Sequence, residues 1–364
     1  MFKRRALERI RLLCGCGAGM EAIAPALCEA LHDLIDTEAN AVFWVDENGV
    51  PSGYHHDNAP AELKDFYVCN FEALFADPTQ FSMIALLKTM EPSVGRVLGD
   101  AGMKWVLESN VHKYLCAPLG HYHALDMRID HEGRGRAAFC FWRGESDPYT
   151  PDDVTILQEV QPLLQSAVAQ VPHMVRWRGL SSRTAHFITD AAGRELRSID
   201  AEADRTLAAS HLLSQNVAAQ PPLREAPGFA AQLSAMLATQ EQAEMSVAVA
   251  GGRLLARATW SRIISAGEAA SQMLVTIDRQ VCTPVLVANY VAALPLTFLQ
   301  KRIALFAILG GERSACEVEI GVGSEALKKH LRTIFECAGA SQWSELALIE
   351  GELLEQERVA LKAA

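Results

Sequence analysis

Between Leu327 and Phe335 the apolar residues Leu327, Leu331, Ile334 and Phe335 recur at i, i+4, i+7 and i+8, one face of a helix, while Lys328, Lys329 and Arg332 project elsewhere on it. Upstream, Leu305 and Ile308 fall in the apolar pattern of an earlier helix, Gly310 ends it, and Ile320-Gly-Val322 marks a turn. At the other end of the chain Leu7, Ile10 and Leu13 predict an opening helix, and a second is expected roughly from Glu21 to Ile35. Extended patterns follow. Asn40-Ala-Val-Phe-Trp-Val45 reads as a strand entering a hairpin turn at Asp46-Glu-Asn-Gly49, and Arg136-Ala-Ala-Phe-Cys-Phe-Trp142 as another strand. Thr150 then caps, and Pro151 opens, a helix to about Gln170.

From about Ser181 the pattern restarts. Ala185-His-Phe-Ile-Thr189, an Asp-x-x-Gly turn and a returning strand make a hairpin, and a helix with Asp200 as cap runs to Leu207. Gln220 to Gly228 is a loop by its prolines, followed by a helix to about Thr239. Two strands flank Gly251-Gly252 within Met245–Trp260, and Gln272–Ile277 supplies a last one.

Composition narrows the function classes. The chain has 364 residues, 50% hydrophobic and 21% charged, enough for two or three cores without a long disordered arm. A net charge of −11 excludes indiscriminate coating of nucleic acid or anionic membrane and leaves phosphate contact to local basic clusters. The basic start at Lys3-Arg-Arg5 is interrupted by Glu8, Arg9 and Arg11, so no export signal is expected. The longest apolar run, Val285 to Leu299, contains Asn289 and Pro295, so no membrane span is expected either. Nine scattered cysteines fit reduced thiols in a cytoplasm.

With those residues in view, the segment from Leu296-Thr297 to His330-Leu331 resembles the LuxR/NarL-type helix-turn-helix, with Lys328 and His330 at the family's V-K-x-H-L positions and no gap in spacing. The resemblance implies a regulator that binds double-stranded DNA through Lys328, Lys329, Arg332, Glu325 and Arg313. Departures stand beside it: Phe298-Leu299-Gln300 replaces Pro-x-Glu, Ala315-Cys316-Glu317 replaces Glu-Ile-Ala, and Gly323 and Ala326 replace Ser and Thr. Six Lys/Arg balance six Glu between Thr297 and Glu345, where duplex binders usually carry net positive charge. The alternative is a sensory or scaffold protein whose helix-turn-helix no longer binds DNA. The first block resembles a GAF domain, ending in an F-x-W…(F/Y)-(T/S)-x-x-D pattern, and the central block resembles a PAS domain. The expected organisation is α+β and multidomain: two antiparallel-sheet sensory domains, GAF-like over 1–171 and PAS-like over 181–280, then a linker over 281–293 and an all-α helix-turn-helix domain over 294–364. The apolar stripe in Glu345–Leu354 is expected to pack against a second copy in a homodimer.

Candidate chemistry concentrates in the first block. Aromatic residues gather there, and a concave apolar pocket is expected between its sheet and the segment from Asp65 to Met90. Phe43, Phe66, Phe71, Trp105, Tyr114, His121, His123, Phe139 and Phe141 are its candidate ligand-binding residues, for a small apolar or aromatic effector. Haem is a further candidate, with His112, His121 or His123 as axial ligand, and thiol redox sensing through Cys69, Cys116 and Cys140 another. Neither a recognisable nucleophile motif nor a metal-ligand spacing is present, so neither an enzyme nor a metal site is expected.

Overall fold

The computed structural model describes residues 2–57, 66–67, 69–89, 93–169, 175–180, 184–193, 196–201, 203, 228–249, 252–263 and 270–363. Helices α1 (Phe2–Gly15) and α2 (Met20–His32) precede the hairpin β1 (Ala39–Val45) and β2 (Pro51–His56). Three short helices, α3 (Phe71–Phe75), α4 (Met83–Lys88) and α5 (Asp100–Leu107), lead to a π-helical turn at His112–Cys116 and the hairpin β3 (His123–His131) and β4 (Arg134–Arg143). Then come α6 (Pro151–Ala169), β5 (Trp177–Gly179), β6 (Ala185–Thr189), β7 (Leu196–Ser198), α7 (Phe229–Leu237), β8 (Gln242–Val249), β9 (Gly252–Ile263) and β10 (Ala270–Cys282). The chain closes with α8 (Thr283–Ala293), α9 (Phe298–Ile308), α10 (Arg313–Ile320), α11 (Ser324–Ala338), α12 (Trp343–Leu346) and α13 (Ile349–Ala363). The fold is α+β with two antiparallel sheets. Asp200 caps the next turn as expected, its Oδ1 accepting from Ala203 N at 2.8 Å; the helix beyond it and the loop over 220–227 lie outside the described residues.

Two compact units emerge, each assembled from separate stretches of chain. One is Met1–Asp36, Thr155–Leu180 and Val281–Ala364; the other is Thr37–Val154 and Ser181–Gln280. The opening helices therefore belong with the C-terminal helices rather than with the sheet that follows them. Ile10, Leu13, Leu27 and Leu31 are fully buried there, and α1 packs on α2, α8 and α9. Periodicity identifies an apolar face but not the element that covers it.

The stretch 281–293, expected as a linker, is instead the helix α8, with Pro284 in its first turn and Thr283, Val287, Ala288 and Val291 buried. Its sequence is apolar around most of its circumference, so it carries no amphipathic stripe to announce it. Helix α9 starts on a capping box: Thr297 Oγ1 accepts from Gln300 N, and the Gln300 side chain accepts from Thr297 N at 2.9 Å. Gln300 thus does the capping work of the family's glutamate. Gly310, at φ +85°, ends α9 as expected, and Gly321, at φ +73°, caps α10 before the turn into α11.

The stripe at the C-terminal end is covered by the chain itself. Leu346, Ile349 and Leu353 are buried, α13 packs on α8, and Glu350 pairs with Arg176 at 3.5 Å. A second copy is not needed to dry it.

In the second unit, one sheet has the order β2-β1-β4-β3 and the other contains β7-β6-β10-β9-β8. The latter is one-sided: Ala185, Phe187, Met273, Val275 and Ile277 are buried at alternate positions beneath Phe229, Leu233 and Leu237 of α7. The former is buried on both faces, and this positions the candidate site.

Candidate ligand cavity

Register decides which side chains share a face. Ala41 pairs with His56 and Cys140, Ala39 with Trp142, and Phe43 with Tyr54 and Ala138, so these residues, with Ala124 opposite Trp142, point to one side of the sheet. Alanine at 39, 41, 124 and 138 leaves that side shallow. Aromatic rings from the 66–88 segment and from Val111–Leu119 stand over it, and a cavity of about 170 Å³ remains between them. The π-helical turn that carries Leu115 and Cys116 forms part of its wall, and such turns recur at functional sites.

Of the nine residues expected to bind a ligand, Phe43, Phe71 and His121 line this cavity. Phe66 is buried in the surrounding core, with Trp105 and Tyr114 packed against it. Trp105 is held from outside: its Nε1 donates to Thr79 O at 2.7 Å and Arg96 sits 4.5 Å over its ring. The His123 ring is turned away, its Nε2 lying 3.0 Å from Glu145 O. Phe139 and Phe141 are fully buried but point to the opposite side of the sheet, stacked on each other at 6.4 Å, and do not line the cavity. Cys140 and Trp142, one residue along, face it instead. A strand buried on both sides is apolar at every position, so alternation alone does not choose the face. Tyr54, Tyr67, His56, Phe81 and Leu115 also line the cavity, and no local pattern in the sequence points to them.

The polar groups are few. Tyr54 and Tyr67 share a hydrogen bond between hydroxyls at 2.8 Å. His121 is only 5% exposed, and neither of its ring nitrogens has a hydrogen-bond partner. His56 stacks on one of its faces at 5.5 Å and Trp142 on the other at 5.9 Å. Burial lowers the pKa of His56 to about 4 and also lowers that of His121, so both imidazoles are neutral at pH 7. Burial pushes the Cys116 and Cys140 thiols up, which makes them poor thiolates for redox chemistry. A cavity of about 170 Å³ suits one ring rather than a tetrapyrrole, which removes the geometric ground for haem. Among the described residues no group of three or more His, Cys, Asp or Glu is placed to hold a metal ion.

Asp126, on the same side of the sheet, is 1% exposed; its Oδ1 accepts from Val97 N at 3.1 Å and its Oδ2 has no hydrogen-bond partner. Burial raises its pKa to about 6, against the opposing pull of the Val97 amide and Arg96. The folded state therefore holds this proton more tightly than the unfolded chain, and the group's contribution to stability declines as pH rises from about 4 through about 6. Asp126→Asn is expected to gain stability relative to the parent between pH 4.5 and pH 8, by no more than about 3 kcal/mol. Urea melts at the two pH values check this, and a difference independent of pH would contradict it.

The helix-turn-helix residues lie in the helical unit. Lys328, Lys329, Arg332 and Glu325 are on α11, and Arg313 opens α10. Leu327, Leu331 and Ile334 are buried as their spacing predicts. Two of the cations are paired within their own helix, Lys328 with Glu325 at 2.6 Å and Arg332 with Glu336 at 3.3 Å. Lys301 faces the interior, donating to Glu8 at 2.8 Å and to Ala292 O at 2.9 Å.

No family model matches the chain, and no curated protein matches it. Among solved structures, the sensor region of a sensor histidine kinase aligns over 66% of this chain and 83% of that one, at 12% identity and a TM-score of 0.17, a likeness too slight to carry an argument. The fold and the site define an α+β chain with a ring-sized, aromatic-walled cavity. Among the described residues, no helix is long and apolar enough to cross a membrane.

Proposed function

We propose that this protein is a ligand-responsive, DNA-binding transcriptional regulator. A small, uncharged, largely apolar effector occupies the cavity beside His121, and α11 presents Lys328, Lys329 and Arg332, with Arg313 and Glu325 nearby, to double-stranded DNA. In this reading the first sheet is the GAF-like sensor, the second the PAS-like one, and two copies bind a partly palindromic site in the cytoplasm. The carrying observation is the cavity itself: an apolar space that holds a buried imidazole with neither nitrogen satisfied. An effector that favours one conformation shifts DNA affinity only by its differential binding, about 1 to 3 kcal/mol in typical cases.

The test on DNA is the double variant Lys329→Ala/Arg332→Ala, read by gel shift or fluorescence anisotropy on the protein's own promoter at fixed salt. Each side chain is expected to contribute about 1 to 3 kcal/mol, with folding intact because both lie on an exposed helix face. Unchanged affinity in a well-folded double variant removes α11 as the reading helix. A second reading, a sensory or scaffold protein that does not bind DNA, is favoured by one observation: Lys328 and Arg332 are already neutralised by Glu325 and Glu336. Failure of the parent protein to bind promoter DNA decides for it.

A further inference from the structure

The chemical identity of the effector is written in the cavity wall, and its assignment rests on the proposed cavity function. Size comes first. An apolar cavity of roughly 150 Å³ accepts benzene, so about 170 Å³ takes one six-membered ring with a small substituent.

Charge comes next. None of the residues lining the cavity is Lys, Arg, Asp or Glu. A carboxylate or ammonium placed there would lose its hydration without gaining a counter-ion, which is far more costly than burying a neutral group. The ligand is therefore uncharged.

The polar demand is specific. His121 cannot turn its ring to find a partner, because His56 and Trp142 stack against both faces. A neutral imidazole carries one N–H donor and one acceptor nitrogen whichever tautomer it adopts, and both are buried and unsatisfied here. A hydroxyl can donate or accept, so it meets either nitrogen; a carbonyl meets only the N–H, and a hydrocarbon meets neither. The Tyr54–Tyr67 pair adds a second complementary group. One hydroxyl donates to the other, which leaves a single O–H in the pair uncommitted. Phe81 and Trp142 meet edge to face at 5.9 Å in the wall, an environment that favours an aromatic ring over an aliphatic one.

We infer that the cavity binds a neutral single-ring aromatic alcohol of the phenol class, with its hydroxyl hydrogen-bonded to the His121 imidazole and its ring packed among the aromatic side chains of the wall.

The experiment is isothermal titration of the full chain at pH 7 with phenol, toluene and benzoate, for the parent and for His121→Phe. Phenylalanine keeps an aromatic ring between His56 and Trp142 while abolishing the polar demand. Phenol is expected to bind the parent saturably, one per chain and about tenfold or more tighter than toluene, with benzoate weakest. In His121→Phe the phenol preference is expected to disappear while toluene still binds. Histidine-selective nitrogen NMR of the parent supplies a readout independent of any variant: phenol, and not toluene, is expected to move the His121 ring nitrogens. Equal affinities for phenol and toluene, benzoate binding tightest, an unmoved His121 signal, or a folded His121→Phe that keeps the phenol preference would each overturn the assignment. Where toluene binds but phenol has no advantage, the cavity function stands and only the ligand class falls. If none of the three binds, both fall.

Discussion

Lys301→Ala is expected to lower the stability of the helical unit by about 3 to 5 kcal/mol, the cost of breaking a buried ion pair by removing one partner. Lys301 is 3% exposed, and its ammonium holds both Glu8 of α1 and the last carbonyls of α8. Alanine would leave the Glu8 carboxylate facing the interior beside Arg4, an exposed side chain whose charge water screens. The double change Glu8→Leu/Lys301→Met is expected to recover most of the loss, because replacing a whole buried pair with packed apolar residues is near neutral or better. Burial raises the Glu8 pKa, but the hydrogen bond and charge of Lys301 outweigh it, and the net shift is below the ordinary glutamate value. A depressed carboxylate pKa stabilises the fold above the unfolded value and ceases to do so as pH falls through the folded one. The gap between parent and Lys301→Ala should accordingly shrink in acid below about pH 4.5. Chemical denaturation of the parent, the single and the double variant measures the coupling. A Lys301→Ala protein as stable as its parent would show that the pair does not fasten α1 to α9.

The second large effect separates the two sides of the first sheet. Phe139→Ala removes a fully buried ring from the side away from the cavity and is expected to cost about 3 to 5 kcal/mol of stability. In molecules that remain folded, affinity for a cavity ligand should be unchanged. Ala41→Leu does the reverse. It adds three heavy atoms to a cavity of about 170 Å³, costs about 1 to 3 kcal/mol through overpacking, and should abolish measurable binding of a one-ring ligand. Thermal melts and titration with phenol or toluene on both variants test the pair of outcomes together. Loss of ligand affinity in Phe139→Ala with retention in Ala41→Leu would reverse the assignment of the faces.

That pair of residues also marks where legibility in the sequence stops. The strand 134–143 is announced by β-formers, and the crowding of rings in the first block predicts an aromatic pocket over this sheet. Its lining is only partly legible. Phe43 and His121 can be picked out from the sequence, whereas Phe139 and Phe141 point away from the cavity and Cys140 and Trp142 take their place. Both faces of the strand are buried, so the sequence contains no polar alternation from which to read direction. An imidazole at position 121 suggests chemistry in the sequence; that its nitrogens stay unsatisfied depends on rings from β2 and β4, which no local pattern brings together.

Local rules account for what the sequence by itself determined: the helices at both ends, the capping box at Thr297, the glycine stops at Gly310 and Gly321, the one-sided sheet from Ala185 to Ile277, and the α+β class. Each rests on contacts within a few residues or on the period of a single element. Tertiary structure alone decided the rest. It turned 281–293 into a buried helix, covered the C-terminal stripe with the chain's own α8, and drew the first two helices into one unit with the last six. Burial of an apolar face is non-directional and can be satisfied by any partner of matching shape. Which partner arrives is settled by chain connectivity and by long-range fasteners such as Lys301 and Glu8, 293 residues apart.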